Sequence, residues 1–125
     1  MSSSAPSSKA ASVVVRPPAD ASVLLDSGSP YLDVRTPAEF AAGHAPRAIN
    51  VDILAAGDDF ARQVEAALPA SKAGGKPIVV GCKSGGRSAR AAAVLAAAGY
   101  HSGGILVDVG GGFDAWLSSG LPVEK

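Results

Sequence analysis

The sequence contains little of what marks several specialised classes of protein. It has one cysteine, Cys82, in 125 residues, so no intramolecular disulfide can form and nothing indicates an oxidising compartment. Its 11 basic and 11 acidic residues give a net charge of zero, which argues against a nucleic-acid or membrane-surface partner. No apolar run approaches the length of a membrane span. Two histidines and one cysteine, far apart, show no zinc-binding spacing, and we expect no metal and no cofactor.

The composition that remains is that of one globular domain, because domains commonly have about 100–150 residues. Hydrophobic residues make up 47% of the chain and charged residues 18%. Residues 1–12 are rich in Ser and Ala, and the first acidic residue is Asp20. We therefore expect residues 1–12 to be a disordered tail or a targeting or expression remnant, and residues 13–125 to be the domain. We then expect a cytoplasmic protein, or a plastid or mitochondrial one if the tail derives from a transit peptide. We expect a monomer.

Apolar runs that alternate with helical patterns indicate the fold class. The runs that predict strands are residues 13–15, 31–34, 48–51, 77–81 and 105–107. The segments that predict helices are residues 19–28, 36–43, 58–68, 88–98 and 113–120. Strands joined through helices favour an α/β fold with a five-stranded, mainly parallel sheet flanked by helices on both faces. In such sheets, ligands bind beyond the carboxyl ends of the strands.

Cys82 lies at such a strand end, in the segment "PIVVGCKSGGRSARAAAVLAAAGY". A lone cysteine is usually a small buried hydrophobe, but this one precedes a turn that leads into a helix. The N-terminus of a helix presents backbone N–H groups and partial positive charge, which stabilise a thiolate or a bound anion. Gly85 and Gly86 permit the backbone conformations that turn those N–H groups inward. Cys82 is therefore the candidate nucleophile.

The residues that follow Cys82 are suited to holding an anion. Lys83 supplies a flexible cation and Arg87 a planar one. Ser84 and Ser88 supply hydroxyl groups, and Ser88 can instead cap the helix. The candidate substrate-binding residues are Lys83, Ser84, Gly85, Gly86, Arg87 and Ser88.

The segment "CKSGGRS" resembles the active-site loop of the rhodanese (sulfurtransferase) family. "YLDVRTPAEFAAGHAPRAINV" and "DVGGGFDAWLSSGLPV" are similar to the family's N-terminal and C-terminal signatures, so the resemblance covers roughly residues 13–123. Small single-domain thiosulfate sulfurtransferases of plants and bacteria are the members that it resembles most. Arg47, Asp52 and the third glycine of residues 110–112 depart from the family pattern and affect the expected shape of the pocket rim.

The resemblance implies a rhodanese-like fold and a persulfide mechanism. Cys82 would take sulfane sulfur from thiosulfate or another persulfide donor and pass it to cyanide, glutathione or a thioredoxin-like acceptor. The backbone of residues 83–87 would hold the transferred sulfur. Four residues separate Cys82 from Arg87, whereas the related phosphatases have five, and the tighter loop suits a sulfur atom better than a phosphate.

Two other functions remain open from the residues. An arsenate reductase or a phosphatase-like enzyme on the same fold would direct the thiolate at an oxyanion. A non-catalytic persulfide carrier or binding module would deliver sulfur to a partner protein without turnover.

Two charged residues at a neighbouring strand end are predicted to support the site. Asp33 and Arg35 fall at the end of the second predicted strand, on the same sheet edge as Cys82. We expect Asp33 to anchor the loop rather than to carry a proton. Arg35 and Glu39 are four residues apart, and we expect a structural ion pair between them.

Overall fold

The computed structural model describes residues 9–125, and they form a parallel sheet covered by helices on both faces. The strands are β1 (Ser12–Arg16), β2 (Tyr31–Asp33), β3 (Ile49–Asn50), β4 (Ile78–Gly81) and β5 (Ile105–Val109). The α-helices are α1 (Pro18–Asp26), α2 (Pro37–Ala42), α3 (Ile53–Ala56), α4 (Phe60–Ala67), α5 (Gly86–Ala97) and α6 (Gly112–Ser118). Short 3₁₀ turns span Gly57–Asp59 and Ala70–Ala73. The predicted α/β class is confirmed.

The strands have the order β1-β5-β4-β2-β3, and every neighbouring pair is parallel. β4 is therefore the central strand, with β5 on one side and β2 on the other. All four of its residues are buried, as expected for a strand that is covered on both faces. Because all five strands point the same way, their carboxyl ends form one edge of the sheet, and Cys82 follows β4 at that edge.

Alternate residues of the strands separate the core into two halves. On one face Ile78 and Val80 pack in a cluster with buried residues of α3, α4 and α5. On the other face Val79 packs with buried residues of α1 and α6, including Trp116, which is fully buried. Burial of both faces supplies the main driving force for this arrangement. None of the helices among residues 9–125 is long and apolar enough to cross a membrane.

Two helix starts are fixed by caps in the local sequence, and the start of α5 differs from its prediction for a local reason. Thr36 accepts a hydrogen bond from the Glu39 backbone N–H while the Glu39 side chain accepts one from the Thr36 N–H, a reciprocal cap that fixes the start of α2. Asp52 caps α3 by accepting from the Leu54 N–H. The helix α5 begins at Gly86, two residues earlier than predicted, because Gly85 turns the chain with a φ of +120°.

The structure describes only part of the predicted tail, residues 9–12. Residues 1–8 lie outside the described residues. Of the remainder, Ala11 is buried, Ser12 begins β1, and the Lys9 carbonyl accepts a hydrogen bond from the Gly103 N–H.

Candidate active site

The Cys82 sulfur lies over the N-terminus of α5. The Gly85 backbone N–H donates to Cys82 Sγ at 3.0 Å, and Sγ is 3.3 Å from Ser88 Oγ. Cys82 is 1% exposed, so its sulfur is enclosed by the loop and by the first turn of the helix. A backbone donor and the positive end of a helix both favour negative charge on sulfur. The structure thus brings Cys82, Gly85 and Ser88 together.

The rest of the loop leaves backbone donors free. Among residues 9–125, the N–H groups of Lys83, Ser84 and Gly86 make no hydrogen bond to another backbone group. Ser84 and Gly86 are exposed, and Gly85 is half-buried. These N–H groups sit in and beside the first turn of α5, where the intrahelical partners of a helix are missing. Without a backbone partner among residues 9–125, they are candidate donors to an anion that approaches the loop.

Arg87 is held by a carboxylate from another part of the chain. Its Nη1 and Nη2 donate to Glu39 Oε1 and Oε2 at 2.7 and 3.0 Å, a bidentate pair that joins α5 to α2. The hydrogen bonds from Arg87, together with smaller contributions from Thr36, lower the pKa of Glu39 to about 2, and the contact with Glu39 raises the pKa of Arg87. The guanidinium charge is therefore compensated before any substrate binds.

The predicted ion pair between Arg35 and Glu39 is wrong. Arg35 instead donates from Nη2 to Asp33 Oδ2 at 2.8 Å and to the Gly43 carbonyl at 2.7 Å. The rule for residues four apart applies inside a helix, but α2 begins only at Pro37. Arg35 lies before that helix, and its side chain turns back to the nearer carboxylate.

Asp33 and Arg35 form a buried unit beside the site rather than within it. Asp33 is 1% and Arg35 4% exposed, and the Arg35 backbone N–H also donates to Asp33 Oδ1 at 3.0 Å. The Arg35 guanidinium lies 4.4 Å above the ring of Phe113, at the start of α6. This geometry supports Asp33 as a loop anchor, and it links the end of β2 to the helix α6.

Lys83 is also paired. Its Nζ lies 3.1 Å from Asp114 Oδ2, and both side chains are more than half exposed. The helix α6 contacts the loop through the backbone as well, because the Phe113 N–H donates to the Cys82 carbonyl at 2.7 Å. Gly112, with a φ of +61°, leaves no room for a Cβ against the Cys82 and Lys83 carbonyls. The N-terminus of α6 therefore holds the loop in place.

Asp108 is a residue of the site that sequence reasoning missed. It lies on β5, is 5% exposed, and its Oδ1 accepts a hydrogen bond from Ser88 Oγ at 2.6 Å. Burial raises the pKa of Asp108, and the hydrogen bond from Ser88 opposes that shift. The sequence feature that could have identified Asp108 is an acidic residue within the otherwise apolar run "ILVDV".

The departures from the expected pattern have clear local structures. Arg47 adopts a φ of +61°, a conformation that favours glycine, and its N–H donates to Glu124 Oε1.

Among residues 9–125, no group of three or more His, Cys, Asp or Glu side chains is placed to hold a metal ion.

Comparisons with known proteins identify relatives over most of the chain. The family model described as "Rhodanese-like domain" matches residues 17–119. Thiosulfate sulfurtransferase 16, chloroplastic, of Arabidopsis thaliana is 43% identical over 108 residues, which cover 81% of this chain and 84% of the relative. Thiosulfate sulfurtransferase 18 of the same plant is 40% identical, over 94% of this chain and 88% of the relative. A rhodanese-related protein from Thermoplasma volcanium superposes with a TM-score of 0.69 and 29% identity, over 90% of this chain and 97% of that structure.

Proposed function

The chain belongs to the rhodanese-like domain family, and we propose that it is a sulfurtransferase that carries sulfane sulfur as a persulfide on Cys82. The donor is thiosulfate or another persulfide donor, and the acceptor is cyanide or a cellular thiol. The observation that carries the proposal is the position of Cys82 Sγ, which accepts the Gly85 N–H at the N-terminus of α5. The names of the two plant relatives support thiosulfate as the donor.

The first half-reaction forms the persulfide. The Cys82 thiolate attacks the outer sulfur of thiosulfate, the S–S bond of thiosulfate breaks, and sulfite leaves with the electron pair of that bond. The terminal sulfur of the persulfide then carries the negative charge. The N–H groups of Lys83, Ser84 and Gly86, which have no backbone partner among residues 9–125, would stabilise it in the manner of an oxyanion hole.

The second half-reaction needs a nucleophile from outside the chain. Cyanide attacks the terminal sulfur, the persulfide bond breaks, thiocyanate leaves, and the Cys82 thiolate is regenerated. A thiol acceptor attacks in the same way. Because Cys82 is the only cysteine, no second thiol of this chain can resolve the persulfide as an internal disulfide. Turnover therefore depends on the acceptor.

The anion is held mainly by the backbone in this proposal. Arg87 is already bound by Glu39, and Lys83 lies against Asp114. Arg87 then maintains the shape of the loop by tying α5 to α2. Lys83 attracts the thiosulfate dianion at the surface of the loop once its ammonium group has moved away from Asp114. Ser84 borders the loop at the surface, and Ser88 contacts the sulfur from inside the helix.

Three parallel assays test the proposed reaction against its alternatives. The protein is assayed with thiosulfate plus cyanide, with arsenate plus glutathione, and with an aryl phosphate, each beside Cys82→Ser. The proposal predicts turnover in the first assay that Cys82→Ser abolishes. Turnover confined to arsenate or to the phosphate ester would instead indicate an enzyme that acts on an oxyanion, and the proposed sulfurtransferase activity would be rejected. A detectable persulfide without turnover in any assay would indicate a carrier.

A further inference from the structure

Asp108 is a buried carboxyl group that the proposed reaction does not use. It lies on β5 between Val107 and Val109, which are both buried. Among residues 9–125, no basic side chain forms an ion pair with it. Burying a carboxylate without a cation is costly, so such a group is expected to be neutralised or to serve a function. Its contact is Ser88 Oγ at 2.6 Å.

The hydroxyl group of Ser88 lies between this carboxyl group and the nucleophile. Ser88 is fully buried, and its Oγ is 2.6 Å from Asp108 Oδ1 and 3.3 Å from Cys82 Sγ. A hydroxyl group donates one hydrogen bond and can accept two. It can therefore donate to Asp108 while accepting from the Cys82 thiol, or accept from a protonated Asp108 while donating to the Cys82 thiolate. The Gly85 carbonyl, 3.2 Å from Oγ, is a third neighbour.

We propose that Asp108 is a positioning residue that takes up the proton of Cys82 through the Ser88 hydroxyl. The S–H bond of Cys82 breaks, Ser88 gains that proton and passes its own to Asp108, and a thiol with a carboxylate becomes a thiolate with a carboxylic acid. The total charge of the site is unchanged, and no proton is exchanged with solvent. In the product state, Ser88 and Gly85 both donate to the sulfur.

The surroundings fit an internal transfer of this kind. Burial raises the pKa of Asp108, which makes it a better proton acceptor than an exposed carboxylate. The strands on either side place Val15 and Val80 beside it in register. Two other ionisable groups lie within electrostatic range of the pair. Tyr31 on β2 stays neutral because burial, followed by the charge of Asp33, raises its pKa, and Arg87 on α5 is bound to Glu39.

The inference deepens the proposed function by explaining how its nucleophile is ionised. While the persulfide turns over, Asp108 keeps the proton, so the Ser88 hydroxyl continues to face the sulfur. When the acceptor removes the outer sulfur, the Cys82 thiolate is the leaving group, and Ser88 and Gly85 stabilise it together. The proton returns to Cys82 only in the resting enzyme.

The test follows the rate of Cys82 alkylation by iodoacetamide as a function of pH, since the thiolate is the reacting form. Two coupled groups that share a proton titrate in two macroscopic steps, so the wild type is expected to show two steps with a plateau between them. Asp108→Asn removes the acceptor and is expected to show one step. Below its midpoint, its rate falls by about tenfold per pH unit while the wild type stays on the plateau. The control Asp58→Asn, at an exposed position, is expected to keep both steps.

A double-mutant cycle separates action through Ser88 from a general effect of charge. Ser88→Ala and Asp108→Asn are each made alone and together, and the same profiles are recorded. If Asp108 acts through Ser88, Asp108→Asn changes the profile far less in the Ser88→Ala background. Superimposable profiles of wild type and Asp108→Asn, or an equal effect of Asp108→Asn in both backgrounds, would overturn the proposal.

A measurement on the wild-type chain covers the case in which a variant does not fold. The ¹³C resonance of the Asp108 carboxyl group is titrated before and after Cys82 is blocked with iodoacetamide. The proposal predicts two steps before blocking and one step after, and identical curves would contradict it. Neither measurement uses a sulfur donor. A protein that is inert towards thiosulfate but shows these profiles would therefore refute the proposed function and leave the role of Asp108 intact.

Discussion

Replacing Glu39 by glutamine tests the ion pair that joins α2 to the Cys82 loop. Glutamine keeps an oxygen that can accept the Thr36 N–H, so the start of α2 is retained while the charge opposite Arg87 is removed. Hydrogen bonds from Arg87, with smaller contributions from Thr36, lower the pKa of Glu39 from 4.5 to about 2. By linkage this corresponds to at most about 3 kcal/mol of stability. Because 28% of the Glu39 side chain and 23% of the Arg87 side chain are exposed, we expect a loss of about 1–2 kcal/mol after solvent screening.

Urea unfolding of Glu39→Gln and wild type, at a series of pH values, provides the assay. A carboxyl group with a lowered pKa in the folded state stabilises the protein fully above its unfolded pKa, and this contribution is lost as the pH falls through the folded pKa. The difference between the two proteins should therefore be constant above about pH 4.5 and should shrink as the pH falls towards 2. Asp58→Asn, at an exposed position, is the control and should unfold like the wild type. Equal stability at neutral pH, or a difference that does not shrink in acid, would refute the reasoning.

Two further predictions concern the residues that surround the loop. Asp114→Asn releases Lys83 for the anionic donor, so KM for thiosulfate should fall by up to about fivefold at low salt with kcat unchanged, and the effect should vanish at high salt. An unchanged KM at low salt would argue against a role for Lys83 in donor attraction. Gly112→Ala places a Cβ against the Cys82 and Lys83 carbonyls and should destabilise the fold by about 1–3 kcal/mol in thermal or urea unfolding. The matched control is Gly74→Ala, which has a similar φ of +59° and no atom within 4 Å of the added Cβ, and a loss as large there would show that backbone conformation alone is responsible.

The parts of the fold that depend on local sequence could be predicted. The buried strand β4 follows from its continuous apolar run, and the start of α2 follows from Thr36, Pro37 and Glu39. Phe60 and Val64, spaced four apart, are buried on one face of α4 as that spacing predicts. The position of Cys82 followed from the end of β4 and the glycines after it.

The interactions between distant segments could not be predicted from one sequence. Glu39 and Arg87 are 48 residues apart along the chain, and only the packing of α2 against the loop makes them partners. The local rule suggested Arg35 instead, which is nearer in sequence but lies outside the helix. Asp108 was missed for the same reason, because its partner Ser88 is 20 residues away on another element. Sequence patterns specify elements and their ends, whereas the choice between possible partners is made by tertiary packing.

The central claim is that Cys82 carries the transferred sulfur atom. Intact mass spectrometry after treatment with thiosulfate tests this claim most directly. The protein should gain the mass of one sulfur atom, keep it after excess donor is removed, and lose it when cyanide or a thiol is added. Cys82→Ser should show neither the gain nor the loss. A wild-type chain that stays unmodified, or a Cys82→Ser chain that still takes up sulfur, would contradict the account.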